Sequence, residues 1–213
     1  MKKLLLLFAL AVVAMPCGAH CPCPSNEIWY TNGSTTEPTK PRDTFDVNII
    51  SNTYYAENEC WVIKFDGEVT TIRFEAFGGC SNLTSVTIPD SVTTIWATAF
   101  GGCSSLREFN GKYASEDGRC LIVDDTLNSF APAGLTEYTI PDSVTTIGNY
   151  AFYSCSSLTS VYCKAITPPA GGASMFSSNA SGRKIYVPME SVEAYKSASR
   201  WSIYADSIVG YNF

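Results

Sequence analysis

Histidine is almost absent from this chain of 213 residues: the sequence contains a single one, His20. Catalysis that needs a histidine base, and metal sites that need histidine ligands, are therefore excluded from the rest of the chain. The nucleotide-binding patterns G-x-x-x-x-G-K-[ST] and G-x-G-x-x-G and the hydrolase pattern G-x-S-x-G are also missing. The sequence therefore predicts no cofactor and no enzyme of these classes.

Charged residues are scarce as well, and their balance is acidic. The chain has 14 Lys and Arg against 20 Asp and Glu, a net charge of −6 at pH 7. No cluster of Lys or Arg offsets this charge, so binding to nucleic acid is not expected. The densest carboxylates are Glu116, Asp117, Asp124 and Asp125. They lie beside glycine or in a predicted turn, where acids commonly form local hydrogen bonds, and a glycosidase with paired carboxylates is the catalytic alternative that stays open.

Long apolar runs are missing except at the N-terminus. Leu4–Met15 is apolar and follows Lys2 and Lys3, the arrangement of a secretory signal peptide. We expect a signal peptide over residues 1–19, or over residues 1–16 if Cys17 is the lipid attachment site of an outer-membrane lipoprotein. No later segment approaches the length of a membrane-spanning run, so no transmembrane span is expected. The chain is predicted to be exported and to act outside the cell or at its surface.

What the sequence has instead is a repeat. Residues 87–95 (TIPDSVTTI) recur unchanged at residues 139–147. They belong to a longer unit, V-x-x-I-x-x-x-x-F-x-x-C-x-x-L-x-x-[VF], whose copies begin at Val69, Val92 and Val144, and the first two copies lie 23 residues apart. A fixed period of this length with apolar positions in register is typical of stacked solenoids.

Within each repeat, short extended pieces alternate with tight bends. Leu83, Val86 and Ile88 are expected to point inward and the residues between them outward, because side chains alternate across a strand. Pro89–Ser91 predicts a turn, and Ala99–Cys103 predicts a short helical turn that glycine ends. The expected fold is therefore mainly β, or α+β, with 23-residue coils that combine short strands and short helical turns.

The outward positions of successive coils predict a surface that binds a ligand, because solenoids use extended surfaces for binding. Trp96 is included because it departs from the repeat and tryptophan commonly anchors interfaces, although it could equally pack against a neighbouring coil. The alternative for the small hydroxyl residues is that they simply face solvent. The candidate ligand face consists of Ser85, Thr87, Trp96, Glu108, Asn110, Glu137, Thr139, Ser160 and Tyr162.

Three of the nine cysteines share one repeat position: Cys80, Cys103 and Cys155. Neighbouring coils place equivalent residues roughly 4.8 Å apart with parallel side chains, whereas a disulfide needs Cβ atoms at about 3.8 Å that face each other. We therefore predict that these three are small buried hydrophobic residues. Three others lie elsewhere, and their pairing stays open: Cys60, Cys120 and Cys163.

The two ends of the chain and one insertion depart from the repeat. Residues 24–68 combine strand-like pieces with turn signals and predict an N-terminal β cap. The repeats span residues 69–187 and are interrupted at 110–134 by an atypical coil, in which Leu121–Val123 and Leu127–Phe130 predict a β-hairpin. Residues 188–213 predict a C-terminal helical cap, with an amphipathic helix over Met189–Ala198 followed by the core aromatics Trp201 and Tyr204. Such caps cover the exposed ends of a solenoid.

The segment IPDSVTTIGNYAFYSCSSLTSV (residues 140–161) resembles the BspA-like leucine-rich repeats of bacterial cell-surface and secreted proteins. The resemblance covers about residues 27–213 and agrees in period, cysteine position and the I-P-x-S-V turn. One departure is Trp96, where the family usually has glycine, as at Gly148. The resemblance implies a right-handed leucine-rich-repeat solenoid, export, and a role in adhesion or in binding host proteins.

These observations predict an exported binding module, monomeric and without enzyme activity, whose partner is a protein or glycan of a host or neighbouring cell. The first alternative is a structural cell-envelope protein without a specific ligand. The second is a carbohydrate-active enzyme.

Overall fold

The protein is represented by a computed structural model that describes residues 23–35 and 44–213. The predicted signal peptide (1–19), the lipidation candidate Cys17 and the lone His20 lie outside the described residues, as do residues 36–43 of the predicted N-terminal cap. None of the helices in the described part has the length and apolarity needed to cross a membrane.

Most of the regular structure is β-strand. The strands of the described residues are β1 Glu27–Thr31, β2 Ile49–Tyr55, β3 Cys60–Phe65, β4 Thr71–Ile72, β5 Ser85–Thr87, β6 Thr94–Ile95, β7 Glu108–Asn110, β8 Cys120–Val123, β9 Thr126–Phe130, β10 Glu137–Thr139, β11 Thr146–Ile147, β12 Ser160–Tyr162, β13 Ala170–Gly171, β14 Lys184–Pro188 and β15 Ile208–Tyr211.

The helical residues lie near the C-terminus. The α-helix α1, Val192–Ser197, is flanked by two 3-10 helices, Met189–Ser191 and Ser202–Ser207. The predicted helix over Met189–Ala198 is therefore present as a 3-10 turn that continues into a short α-helix. Tyr195 and Trp201 are fully buried, and Tyr204 is half-buried against the same core, which confirms that these aromatics pack in the core.

The repeats form two series of parallel strands. In the first series β5 pairs with β7, and later in the chain β10, β12, β14 and β15 pair in that order. Ser85 of β5 lies opposite Glu108 of β7, so paired residues are one sequence repeat apart. In the second series β4 pairs with β6, and β9, β11 and β13 pair in that order. A regular coil therefore contributes one strand to each series.

The residues that the repeat predicts to point inward form the core. Residues that lie opposite one another in the first series are buried, as the alternation of side chains requires: Val86 and Phe109, and Tyr138, Val161 and Ile185. The repeated phenylalanines stack on one another between coils, with ring centroids 5.1 Å apart for Phe77 and Phe100 and 5.0 Å apart for Phe152 and Phe176.

The short helical turns predicted between the strands are absent, and tight turns in succession take their place. The amide of Ala99 donates to the Trp96 carbonyl at 3.2 Å and that of Gly101 to the Thr98 carbonyl at 2.9 Å. Thr98 has φ of 59°, in the left-handed region, which a continuous α-helix does not include. The same conformation recurs at the equivalent positions Glu75, Tyr150 and Ser174, so each regular coil is prevented from extending a helix here.

The predicted hairpin in the atypical coil is present. Strands β8 and β9 pair antiparallel, and the two turn residues Asp124 and Asp125 both have positive φ, 48° and 56°, as a type I′ turn requires. Strand β9 joins the second series through β11, whereas β7 and β10 belong to different sheets. The first series is therefore interrupted at this coil.

The hairpin also separates two hydrophobic cores. Leu121 packs in the core formed by the preceding part of the chain, and its neighbour Cys120 packs in the core that follows. In strand β9 and the residue after it, Ala131 likewise packs in the first core and Phe130 in the second. Because successive side chains of a strand point to opposite faces, the hairpin forms a layer between the two cores.

The N-terminal strands pack beside the first coil. Strand β1 pairs antiparallel with β3 on one side and with β5 on the other, and an ion pair joins Lys64 Nζ to Glu27 Oε1 at 3.0 Å. The Asp46 carboxylate accepts hydrogen bonds from the backbone amides of Thr70 and Thr71. The strand pairing thus places β1 against the edge of β5, and Asp46 holds the segment before β2 to the start of β4.

Buried thiols occupy the repeat position of cysteine, as the spacing predicts. Cys80, Cys103 and Cys155 are all buried, and Cys103 and Cys155 carry free thiols. Burial raises the pKa of the Cys155 thiol to about 12. Cys120 and Cys163 are also free thiols, so these two cysteines do not pair with each other.

Candidate ligand-binding face

Four aromatic side chains come together on the outer side of the sheet β10–β12–β14–β15. The rings of Tyr162 and Tyr186 stack with centroids 4.8 Å apart and an angle of 16° between their planes. Tyr211 meets both rings edge-on, at 5.4 Å and 5.6 Å, and Phe213 lies 5.0 Å from Tyr211. Tyr211 and Phe213 are 43% and 51% exposed. We call these four residues the aromatic face.

Strand register creates the aromatic face. Ile185 and Val187 are fully buried, so Tyr186 between them points outward. Tyr162 lies directly opposite Tyr186 because β12 and β14 pair in parallel, which places two tyrosines of successive coils in contact. Strand β15 then adds Tyr211 beside them.

Polar residues border the aromatic face. Glu137 and Thr139 of β10 are exposed, and Ser160 and Lys184 lie on the same side of β12 and β14. Desolvation raises the pKa of the Tyr162 hydroxyl, and the nearby negative charge of Glu137 raises it further. The face therefore offers aromatic rings together with groups that both donate and accept hydrogen bonds.

Two residues of the sequence-predicted face, Ser85 and Thr87, are buried, with 6% and 8% exposure. The prediction that they face solvent was wrong because β1 lies against β5. Thr31 of β1 hydrogen-bonds through its hydroxyl to that of Ser85 at 2.7 Å, and Trp29 lies opposite Thr87.

The remaining predicted residues do not form one continuous surface. Glu108 is exposed and Asn110 is half-buried, but both lie on β7, which is not in the same sheet as β10. Trp96 is 49% exposed and follows β6 of the second series, so it belongs to another side of the molecule. Only Glu137, Thr139, Ser160 and Tyr162 share the sheet that carries the aromatic face.

Sequence reasoning missed Tyr186, Tyr211 and Phe213. The sequence holds a signal for Tyr186, because it stands between Ile185 and Val187 at the end of the predicted repeats, and alternation along a strand points it away from these two apolar residues. Tyr211 was not predicted to lie on this sheet, because the C-terminal cap was expected to be helical. In the structure the last part of the cap forms strand β15.

The carboxylates of the atypical coil serve the local turn. The Asp117 carboxylate accepts hydrogen bonds from the Ser115 hydroxyl at 2.6 Å and from the Arg119 amide at 3.0 Å. Asp124 and Asp125 form the hairpin turn. In the described part of the chain, no three His, Cys, Asp or Glu side chains are grouped so as to hold a metal ion.

Comparison with solved structures finds two bacterial leucine-rich proteins among the similar chains. One is a leucine rich cell surface protein from Faecalibacterium prausnitzii A2-165, 27% identical, with a TM-score of 0.47, 56% of this chain covered and 32% of that one. The other is a leucine-rich repeat protein from Bacteroides ovatus ATCC 8483, also 27% identical, with a TM-score of 0.30 and coverages of 55% and 40%. This chain thus corresponds to less than half the length of either protein.

No curated protein matches the chain. The BspA type Leucine rich repeat region, in contrast, matches residues 47–115 and 126–200 in six copies. The gap between the two matched segments falls in the atypical coil described above. Because the match spans more than half of the sequence, this protein belongs to the family of BspA type leucine-rich repeats.

Proposed function

We propose that this chain is an exported binding module that holds a protein or a glycan through its aromatic face. The observation that carries the proposal is the group of four contacting rings on the outer side of one sheet, two of them about half exposed. Large exposed aromatic groups are uncommon on proteins that bind nothing and are enriched at interaction sites.

The fold supports this proposal. Stacked repeats present side chains of successive coils on one extended surface, which is the usual binding surface of solenoid proteins. Here the coils of β10, β12, β14 and β15 supply that surface, and the proposed architecture is a right-handed solenoid with caps at residues 24–68 and 188–213. The chain acts as a monomer in this proposal.

The location is part of the proposal. A signal peptide over residues 1–19 would export the chain, and lipid attachment at Cys17 would hold it at the outer membrane. The family match supports a location of this protein at the cell surface. There it can reach a partner on a host or neighbouring cell, and binding that partner would produce adhesion.

The test is a binding screen of the full chain against purified matrix proteins and a glycan array. Tyr186→Ala and Tyr211→Ala, singly and together, are expected to weaken binding to any partner found by roughly tenfold or more, since truncating an interface aromatic commonly costs about 2 kcal/mol. Trp96→Ala is the matched control, because Trp96 is similarly exposed but lies after β6, outside this sheet.

The outcomes separate the hypotheses. A partner whose binding is lost in the tyrosine variants and kept in Trp96→Ala supports the aromatic face. Absence of any partner, together with an altered cell envelope after deletion of the gene, would instead favour a structural protein. Equal loss of binding in Trp96→Ala and in the tyrosine variants would contradict the assignment of this face.

A further inference from the structure

A second candidate site lies beside the atypical coil, at residues separate from the aromatic face. It is a cleft of about 350 Å³, a volume near the lower end of small-ligand sites, about 300–1,000 Å³. Hydroxyl groups and one arginine dominate its lining. The residues that surround it include Thr84, Ser105, Arg107, Gly134, Ser156 and Ser157.

The cleft exists because the atypical coil lacks one regular loop. In neighbouring regular coils these loops stack closely: the Ser105 amide donates to the Ser81 carbonyl at 3.2 Å. In the atypical coil a short turn around Pro132–Gly134 replaces the loop and is held to the preceding coil by the Ala133 amide, 2.9 Å from the Leu106 carbonyl. A space is thereby left between the serines of the flanking coils.

Arg107 is the cation of this cleft, and the repeat does not require it. The equivalent position holds Thr84, Thr136 and Thr159 in other coils. The Arg107 side chain is exposed, and its Nη1 atom would lie 3.6 Å from a Cβ atom built on Gly134. None of the carboxylates in the described ranges forms an ion pair with it.

Arg183 occupies the equivalent position of a later coil and serves as a comparison, because its side chain packs inside the protein. It is buried, and its guanidinium lies 4.7 Å from the Phe176 ring centroid and 5.2 Å from that of Tyr204. Its Nη1 also donates to the Phe176 carbonyl at 2.9 Å. Arg107 has no comparable contact within the described chain, so packing does not explain its presence.

The hydroxyl groups of the cleft are available as well. Within the part of the chain that the structure describes, the side chains of Ser105, Ser156 and Ser157 form no hydrogen bond with other residues. A serine hydroxyl both donates and accepts a hydrogen bond, which suits the hydroxyl groups of a sugar. A guanidinium presents a planar pair of donors that matches a carboxylate.

We infer that this cleft binds a carboxylated sugar, with the sugar carboxylate on Arg107 and its ring hydroxyls on the serines. This site is independent of the proposed role of the aromatic face, because no residue is shared between them. A unit of an acidic polysaccharide is the kind of partner that carries both groups.

The test is calorimetric titration of the full chain with an α-1,4-linked dimer of galacturonic acid, with the neutral galactose dimer as its counterpart. We expect saturable binding of the acidic dimer only. Arg107→Ala should weaken that binding roughly tenfold or more, as expected for loss of hydrogen bonds to a charged group. Arg107→Lys, which keeps the charge but not the planar fork, should give an intermediate affinity.

Arg73→Ala is the matched control, because it removes the same charge from an exposed position that does not line the cleft. It should leave the affinity unchanged. Three results would each overturn the inference: no saturable binding of the acidic dimer, equal affinity in Arg107→Ala, or equal affinity for the neutral dimer. Displacement of the dimer by equimolar inorganic sulfate would also overturn it, since the cleft would then be an unselective anion site.

Discussion

Replacing Trp201 with alanine is expected to lower the free energy of unfolding by about 3–5 kcal/mol, the usual loss for a buried tryptophan. The side chain is fully buried, and its ring lies 4.9 Å from Tyr195 and 6.1 Å from Phe176. Its Nε1 donates to the Pro169 carbonyl at 2.7 Å. The variant therefore leaves both a cavity and a carbonyl without its donor.

Urea unfolding followed by circular dichroism measures this loss, since the fluorescence signal changes with the tryptophan itself. Trp201→Phe should show a smaller loss, because most of the ring volume stays. Ile203→Ala, two residues later and 66% exposed, is the control and should change stability by no more than about 0.5 kcal/mol. A Trp201→Ala protein within about 1 kcal/mol of the parent would show that this aromatic cluster is not the anchor of the C-terminal core.

The second large effect is expected at Gly111, the first residue after β7. Gly111→Ala should destabilise the protein by about 3 kcal/mol. A non-glycine residue at a positive φ costs roughly 1–2 kcal/mol, and Gly111 has φ of 112°. An added Cβ would also overlap the carbonyl oxygen of Ile88 in the preceding coil, and overpacking of this kind costs about 1–3 kcal/mol.

Gly79→Ala, in the same half of the molecule, separates the two contributions to this loss. Gly79 has φ of 75°, and an added Cβ would have no other atom within 4 Å, so only the conformational cost, about 1 kcal/mol, should appear. Equal midpoints of thermal unfolding for the two alanine variants would contradict a steric role for Gly111. A Gly111→Ala midpoint well below that of Gly79→Ala would confirm it.

The repeat predicted most of what points inward, and the reason is local. A fixed spacing places Val86, Phe109 and Val161 at equivalent points of successive coils, and alternation along each strand then determines which side they face. The same logic placed Tyr162 on the outer side of its sheet. These assignments need only the period and the two-residue alternation, both of which can be counted in the sequence.

What the repeat did not predict depends on segments that are distant in the chain. Ser85 and Thr87 follow the outward pattern, yet they are buried because β1 pairs with β5. The β1 residue that contacts Ser85 is Thr31, 54 positions earlier in the chain. No spacing within the repeats encodes that antiparallel pairing. The exposure of the first coil was therefore predicted wrongly. In the later coils no such strand covers the outward residues, which are exposed or half-buried.

Strand β15 illustrates a second limit. The helical cap was predicted from the helical spacing over Met189–Ala198. Gly210, which has low β propensity, gave no signal for a strand after that helix. In the structure Gly210 lies against Met189 so closely that an added Cβ would overlap that side chain. The glycine leaves room for the exposed Met189 side chain beside β15, and the pairing of β15 with β14 brings Tyr211 to the aromatic face.

The layer that the hairpin forms between the two cores has a consequence for how the chain unfolds. In a stack of repeats, coupling between distant coils passes only through the neighbours between them. Here the two cores share no residue, and the first strand series has no hydrogen-bonded link from β7 to β10. We therefore expect each half to open as a separate cooperative unit, which hydrogen exchange would detect as independent opening. On heating, the chain should behave as two tethered domains, although its sequence is one array of repeats.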